Sequence, residues 1–264
     1  MENTRTKTTR NSLILLLTAA IWGMAFVSQS KGMDYMHPFT FNGVRSLIGA
    51  ASILVYILIS RKIAGDKAAP LDWKLNVKAG LLCGIFLTIA STLQQFGIKY
   101  TSVGKAGFIT TLYIIFVPMF GIFLKKKVAP VVWAAAVMAA VGMYLLCMTE
   151  SLRLGAGDIM VFLCAIAFAI QIMTVDHYAA RIDGAVVSCI QFTVCGVVCC
   201  IGALIWGQPT FGQLQEGLGA LLYAGVLSCG VGYTLQIVGQ KGLNPTVAAP
   251  VSYTHLRAHE TAAN

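Results

Sequence analysis

Eight apolar runs dominate the 264-residue chain, several exceeding the roughly 18 residues that separate a membrane-spanning helix from a buried soluble one. Weighed against turn and charge signals, they predict helices over residues 12–31, 39–60, 77–98, 103–124, 128–148, 157–177, 185–206 and 217–240. A ninth run begins near Pro245 and does not continue. Hydrocarbon offers no water to the backbone, so apolar segments of this length have to close their own hydrogen bonds as helices. The chain is 57% hydrophobic and 11% charged, against about 25% charged in soluble domains. That balance excludes a disordered chain, a disulfide scaffold and an ordinary cytosolic enzyme. The predicted class is an all-α polytopic membrane protein.

A formal net charge of +9 raises the question of nucleic acid. The basic residues, however, fall in short runs between apolar blocks and form no face with interleaved aromatics. With the N-terminus in the cytoplasm, thirteen of them lie in inside segments, including Arg5, Lys62 and Lys125 to Lys127. Four lie outside: Lys31, Lys99, Lys105 and Arg153. Over short loops this is the positive-inside pattern, so the N-terminus is expected inside and no nucleic-acid partner is expected. The eight cysteines all lie within apolar blocks and none forms a C-x-x-C pair. They read as packing residues; neither zinc nor any other cofactor is predicted. The basic stretch ahead of the first run resembles a signal peptide, but with so many spans following it reads as an uncleaved first helix.

The chain also repeats itself. T-L-Q-Q-F-G-I-K, Thr92 to Lys99, matches T-L-Q-I-V-G-Q-K, Thr234 to Lys241, at an offset of 142 residues. A weaker match pairs Leu17 to Gly23 with Leu163 to Ala169. An odd number of spans separates the two copies, so they run in opposite directions. Inverted repeats of this kind are the architecture of secondary transporters, with a substrate site near the midplane between the halves. The expected organisation is a cytoplasmic tail at 1–11, a first five-helix repeat at 12–148 and a second, incomplete repeat at 149–251.

I-W-G-M-A-F at Ile21 to Phe26, F-N-G-V-R at Phe41 to Arg45 and Y-I-I-F-V-P-M-F at Tyr113 to Phe120 resemble the drug/metabolite transporter superfamily of EamA type, as does the small-residue fifth helix V-W-A-A-A-V-M-A-A-V-G. The resemblance covers residues 12 to about 250. It implies ten helices in two inverted five-helix repeats and a bacterial cytoplasmic membrane. It also implies a small organic solute such as an amino acid, a nucleobase or a drug-like compound, moved by alternating access, often outward. Two departures stand out: F-L-K-K-K follows the fourth helix where G-E is common, and the ninth helix breaks with no tenth behind it. The string T-H-L-R-A-H-E-T, Thr254 to Thr261, resembles a translated adapter, so residues 252–264 are expected to be non-native. His255 and His259 there do not form the H-E-x-x-H of a zinc protease.

Polar and aromatic residues deep in spans are the candidates for substrate contact, because buried polar groups in lipid face the bundle or a cavity. They are Trp22, Arg45, Gln94, Tyr113, Gln171, Gln191, Tyr233 and Gln236. Gln94 and Gln236 are repeat-related; Trp22 and Tyr113 would supply aromatic walls, or equally core packing. Arg45 is the basic residue well inside a span, about 10 Å from its outer end. It would either snorkel to the interface or hold a carboxylate or phosphate in its planar fork, which implies an anionic or zwitterionic substrate. Pro118 and Pro250 are expected kink or gating positions. Gly80, Gly84, Gly225, Gly230 and Gly232 should let helices approach closely. Asp176 and His177 read as a solvated helix end, with a proton relay as the alternative.

No P-loop occurs, so the drive would be the substrate gradient or proton coupling, and a homodimer is a candidate assembly. Three other readings stay open: a channel, which would need a charged ring or carbonyl filter; a membrane-embedded enzyme, which would need paired acids or a His/Asp constellation; and a non-functional truncated fragment.

Overall fold

The computed structural model describes residues 2–65, 70–123, 155–178 and 181–235, with a few single helical positions between 133 and 141. Most of the predicted fifth helix and all of the tail at 252–264 lie outside the described residues.

Among those residues every regular element is a helix. They are α1 (Glu2–Tyr35), α2 (Pro38–Ala64), α3 (Trp73–Tyr100), α4 (Val103–Thr111), α5 (Tyr113–Phe123), α6 (Ala156–Tyr178), α7 (Gly184–Gly202), α8 (Phe211–Glu216) and α9 (Leu218–Leu222). Two of them continue in wider turns: α7 through Ala203–Gly207, and α9 through Tyr223–Gly232. Six described stretches are long and apolar enough to cross a membrane.

The starts are set by side-chain caps. Asp72 accepts from the Leu75 N–H at 3.0 Å, and Ser102 from Lys105 N–H at 3.2 Å. Asp183 accepts from Ala185 and Val186, and Thr210 forms a reciprocal capping box with Gln213. Each satisfies amide donors that a helix start leaves free. Pro38 opens α2 at the position where a missing N–H costs nothing. Predicted and observed limits agree within a few residues for α2, α3, α6 and α7. The fourth span departs from expectation: it is interrupted at Leu112, ahead of Pro118, where the Leu112 N–H turns back to the Ile109 carbonyl at 3.1 Å.

The polarity of the bundle is inverted relative to a soluble protein. Large apolar side chains face outward, with Leu58 at 61% exposure and Leu204 at 73%. Asn42, Arg45, Gln95, Gln171 and Gln191 are buried. A hydrocarbon solvent accepts the first set, and the second has to find partners inside.

Helix α3 packs along α6 and α7, α2 packs along α7 and the turns that follow α9, and α1 lies on those same turns. Glycines permit both crossings. A Cβ on Gly80 or Gly84 of α3 would stand 2.7 or 2.8 Å from the Cβ of Ile190 or Val194 of α7. On the other side, a Cβ on Gly225 or Gly230 would meet Ile48 or Ser52 of α2 at 2.7 or 2.8 Å. The sequence expectation of close helix contact at these glycines is observed. An apolar core of Ile53, Leu87, Phe192, Cys195 and Cys199 sits where α2, α3 and α7 meet.

Candidate functional site

α2 packs along α7 and the turns that follow α9, and Arg45 projects from its first third. Arg45 does not snorkel: it is 6% exposed. Its Nε donates to Asn42 Oδ1 at 2.9 Å, one turn back on the same helix. The guanidinium lies over the Phe41 ring, 5.7 Å from its centroid. Asn42 Nδ2 in turn donates to Ser91 Oγ of α3 at 3.0 Å and to Cys199 Sγ of α7 at 3.4 Å. Ser91 Oγ and Cys195 Sγ lie 3.3 Å apart, and Ser46 Oγ donates to the same sulfur at 3.5 Å. The direct contacts of Arg45, an amide oxygen and a phenyl face, carry no charge. Among the described residues no carboxylate lies within ion-pairing distance of Arg45; the pairs present are Arg61–Asp183 and Lys105–Asp158.

A buried guanidinium is always charged and carries five donors in a flat fork. Here one donor is committed to Asn42, and among the described residues the charge has no acid against it. Two further buried groups lack partners of the opposite kind: the side-chain oxygens of Gln29 and Gln95 accept no hydrogen bond, although Gln95 Nε2 donates to the Gln29 carbonyl at 3.2 Å. Chemically, a buried guanidinium with donors to spare suits a small solute that brings an anionic group.

The remaining sequence candidates divide into pairs. Trp22 and Tyr233 are in contact, ring centroids 5.2 Å apart, with Phe192 on the far side of Tyr233 at 4.7 Å. Trp22 Nε1 donates to the Ser228 carbonyl at 3.3 Å, which ties α1 to the turns after α9. Gln171 Nε2 donates to Gln191 Oε1 at 2.9 Å, joining α6 to α7. Gln94 Nε2 donates to Thr110 Oγ1 at 3.2 Å, and Thr110 bonds back to the Ala106 carbonyl, as threonines in helices commonly do. Tyr113 faces Phe168 at 6.5 Å. Gln236 and Pro250 lie outside the described residues. His177 is exposed in the last turn of α6, its ring against Tyr178.

Sequence reasoning missed Asn42, Ser91 and the cysteine pair around Arg45. Asn42 could have been found from its spacing three residues before an intramembrane arginine, the distance at which side chains meet on one helix face. It also missed the Lys105–Asp158 pair. Lys105 was counted as an outer-loop charge, but it is 8% exposed, and its ammonium lies 3.8 Å from a carboxylate that is itself 4% exposed.

At the start of α2, His37 caps the helix through Nδ1, which accepts from the Phe39 N–H at 3.4 Å. Burial, and secondarily the charge of Lys99, hold its pKa below the ordinary 6.5. The cap needs an unprotonated Nδ1, so the shift and the hydrogen bond favour the same form.

One family model, described as the EamA-like transporter family, matches residues 10–148 and again residues 155–256. An uncharacterized transporter of Archaeoglobus fulgidus is 31% identical over 171 residues, which cover 62% of this chain and 48% of that protein. The chain thus spans about half the length of that relative. The uncharacterized transporter YwfM of Bacillus subtilis is 26% identical over 245 residues, 91% of this chain and 80% of its own. One from Clostridium kluyveri is 24% identical over 254 residues, 90% and 79%. Long apolar helices closed around a polar interior, and a family match over both halves, lead to one conclusion: the chain is a multi-pass membrane protein and belongs to the EamA-like transporter family.

Proposed function

We propose that this transporter carries a small anionic or zwitterionic organic metabolite by alternating access, with Arg45 receiving the anionic group. The observation that carries the reading is a buried arginine with no carboxylate in ion-pairing distance among the described residues. Keeping an ion out of water without a counter-charge is costly, and folds retain such groups where a ligand supplies the opposite charge. A planar fork favours carboxylate or phosphate over a spherical anion. The unpartnered oxygens of Gln29 and Gln95 would accept from donors on the same solute. Trp22, Tyr113 and Tyr233 would line its uncharged part, and Gln94, Gln171, Gln191 and Gln236 would set the shape of the site.

The two matched stretches, 10–148 and 155–256, support a reading as two halves. So do the mirrored glycine contacts, α3 on α7 and the turns after α9 on α2. The halves would rock about α2 and α7 as inverted repeats. In this reading the N-terminus lies in the cytoplasm and the protein in the cytoplasmic membrane, exporting its solute.

Flux into proteoliposomes of a panel of amino acids, hydroxy acids and organic phosphates, each beside its neutral amide or alcohol, tests the reading. Saturable flux of a charged member, absent for its neutral partner and for Arg45→Gln, is the expected result. Equal flux of charged and neutral partners would remove Arg45 from the substrate site.

A further inference from the structure

Asn42 is buried between Arg45 and two neighbouring helices, and its amide has one orientation that satisfies both sides. Its Oδ1 accepts from Arg45 Nε at 2.9 Å. Its Nδ2 donates to Ser91 Oγ of α3 at 3.0 Å and to Cys199 Sγ of α7 at 3.4 Å. Turned over, the amide would set its own N–H groups against the Nε–H, donor against donor. Residues of three helices therefore hold an uncharged oxygen on the Nε edge of the guanidinium. Among the described residues that is the one hydrogen bond the guanidinium makes, so none of them claims the end that carries the two Nη atoms.

The surroundings of residue 42 are groups that can reverse their hydrogen bonds. Ser91 and Cys199 each accept from the amide here, and each carries a proton that it could donate instead. Thr92 Oγ1 lies 3.6 Å from the Cys199 sulfur and can serve it in turn. Together with Arg45 Nε these groups would offer a carboxylate at residue 42 a full set of donors. Aspartate has nearly the outline of asparagine and would fit the same space. The amide that stands there brings no charge to Arg45.

We propose that Asn42 is the specificity-determining residue of the anion site. It closes the Nε edge of Arg45 without spending the charge, and leaves the two-nitrogen end to a carboxylate or phosphate, whose paired oxygens that end meets side by side. Asn42 touches no solute in this scheme, which rests on Arg45 as the anion receptor; it is a positioning residue that acts through Arg45. A carboxylate at residue 42 would give Arg45 a permanent partner inside the fold. An arriving anion would then meet a neutral pair and the repulsion of a like charge, and the advantage of anions over their neutral isosteres would be lost.

The test uses the full chain in lipid nanodiscs, with lactate, N-acetylalanine and glycerol 3-phosphate as anions beside lactamide, N-acetylalaninamide and glycerol. Apparent affinities come from the shift of the unfolding midpoint with solute concentration. The wild type is expected to respond to an anion and not to its neutral partner. Asn42→Ser, which shortens the side chain and adds no charge, should keep that preference. Asn42→Asp should bind the same anion about 100-fold more weakly, near the effect of losing a desolvated charged contact. Without solute it should unfold at or above the wild-type temperature, because a buried charge has gained its counter-charge. Wild-type anion affinity in Asn42→Asp overturns the proposal. So does an unliganded midpoint for Asn42→Asp below that of Asn42→Ser, or an anion response lost as fully in Asn42→Ser as in Asn42→Asp. Arg45→Gln separates the two levels: if it keeps the anion response, or if no anion shifts the wild type, Arg45 is not the receptor and the role of Asn42 falls with it. If Arg45→Gln loses the response and Asn42→Asp keeps it, the receptor stands and the role of Asn42 alone is overturned.

Discussion

Arg45 and Lys105 are two cations buried to nearly the same degree in one bundle, at 6% and 8% exposure, and their surroundings differ completely. Lys105 has an acid, Asp158, itself held by Thr101 and an amide. Arg45 has an amide oxygen, a phenyl face and thiols beyond them. The first is paired with an acid, and the second has no acid beside it among the described residues. The difference teaches which cation serves cohesion and which is held ready for something that arrives from outside.

Removing one charge from each should therefore have opposite consequences for stability. Lys105→Met strands Asp158 in the interior, and breaking a buried pair costs about 3–5 kcal/mol. Thermal unfolding in detergent should show a large drop for Lys105→Met and a smaller one for K105M/D158N. Arg45→Met removes a desolvated charge and leaves only the neutral Asn42 oxygen behind. It should unfold at or above the wild-type temperature, while flux of a carboxylate falls by about 100-fold, near the 2–5 kcal/mol that a desolvated charged contact supplies. A drop for Arg45→Met as large as that for Lys105→Met would erase the distinction.

Neutral contacts sharpen the scale. Gln171→Leu breaks the 2.9 Å bond to Gln191, and interhelical hydrogen bonds in membranes average about 0.6 kcal/mol. The expected loss in unfolding free energy is of that order, well below the Lys105 effect. The smallest effect concerns His37. Its folded pKa lies below the ordinary 6.5, through burial first and Lys99 second. The unfolded chain therefore binds the proton before the folded one does. Stability is fully present above 6.5 and declines as pH falls from there through the lowered folded value. His37→Asn should flatten that part of a stability-against-pH curve slightly, leaving the rest of the acid response in place.

The two cations were unequally legible in the sequence. A positive residue inside an apolar run is conspicuous, so Arg45 stood out, and the limits of α2, α3, α6 and α7 followed from where apolar runs met caps such as Asp72 and Asp183. Lys105 lies at a helix start, where a basic residue reads as an exposed loop charge. Only the fold brings Asp158 to it, across the corner packed by Gly97 and Gly157. Of the site candidates, Trp22 with Tyr233 and Gln171 with Gln191 come together. Gln94 is taken up by Thr110 on a neighbouring helix. Which glutamine meets which partner depends on helix rotation, which a uniformly apolar span does not encode. The break at Leu112 likewise had no turn residue to announce it, and Pro118 pointed further along the same span.

The most direct test of Arg45 as the receptor for an anionic group is thermal stabilisation of the purified, lipid-reconstituted chain. Small carboxylates and organic phosphates would each be compared with a neutral isostere, in the wild type and in Arg45→Gln. The account predicts that a charged member raises the wild-type midpoint, that its neutral isostere does not, and that the response disappears in Arg45→Gln while the unliganded midpoint holds. Equal stabilisation of the wild type and Arg45→Gln by the same anion would contradict it.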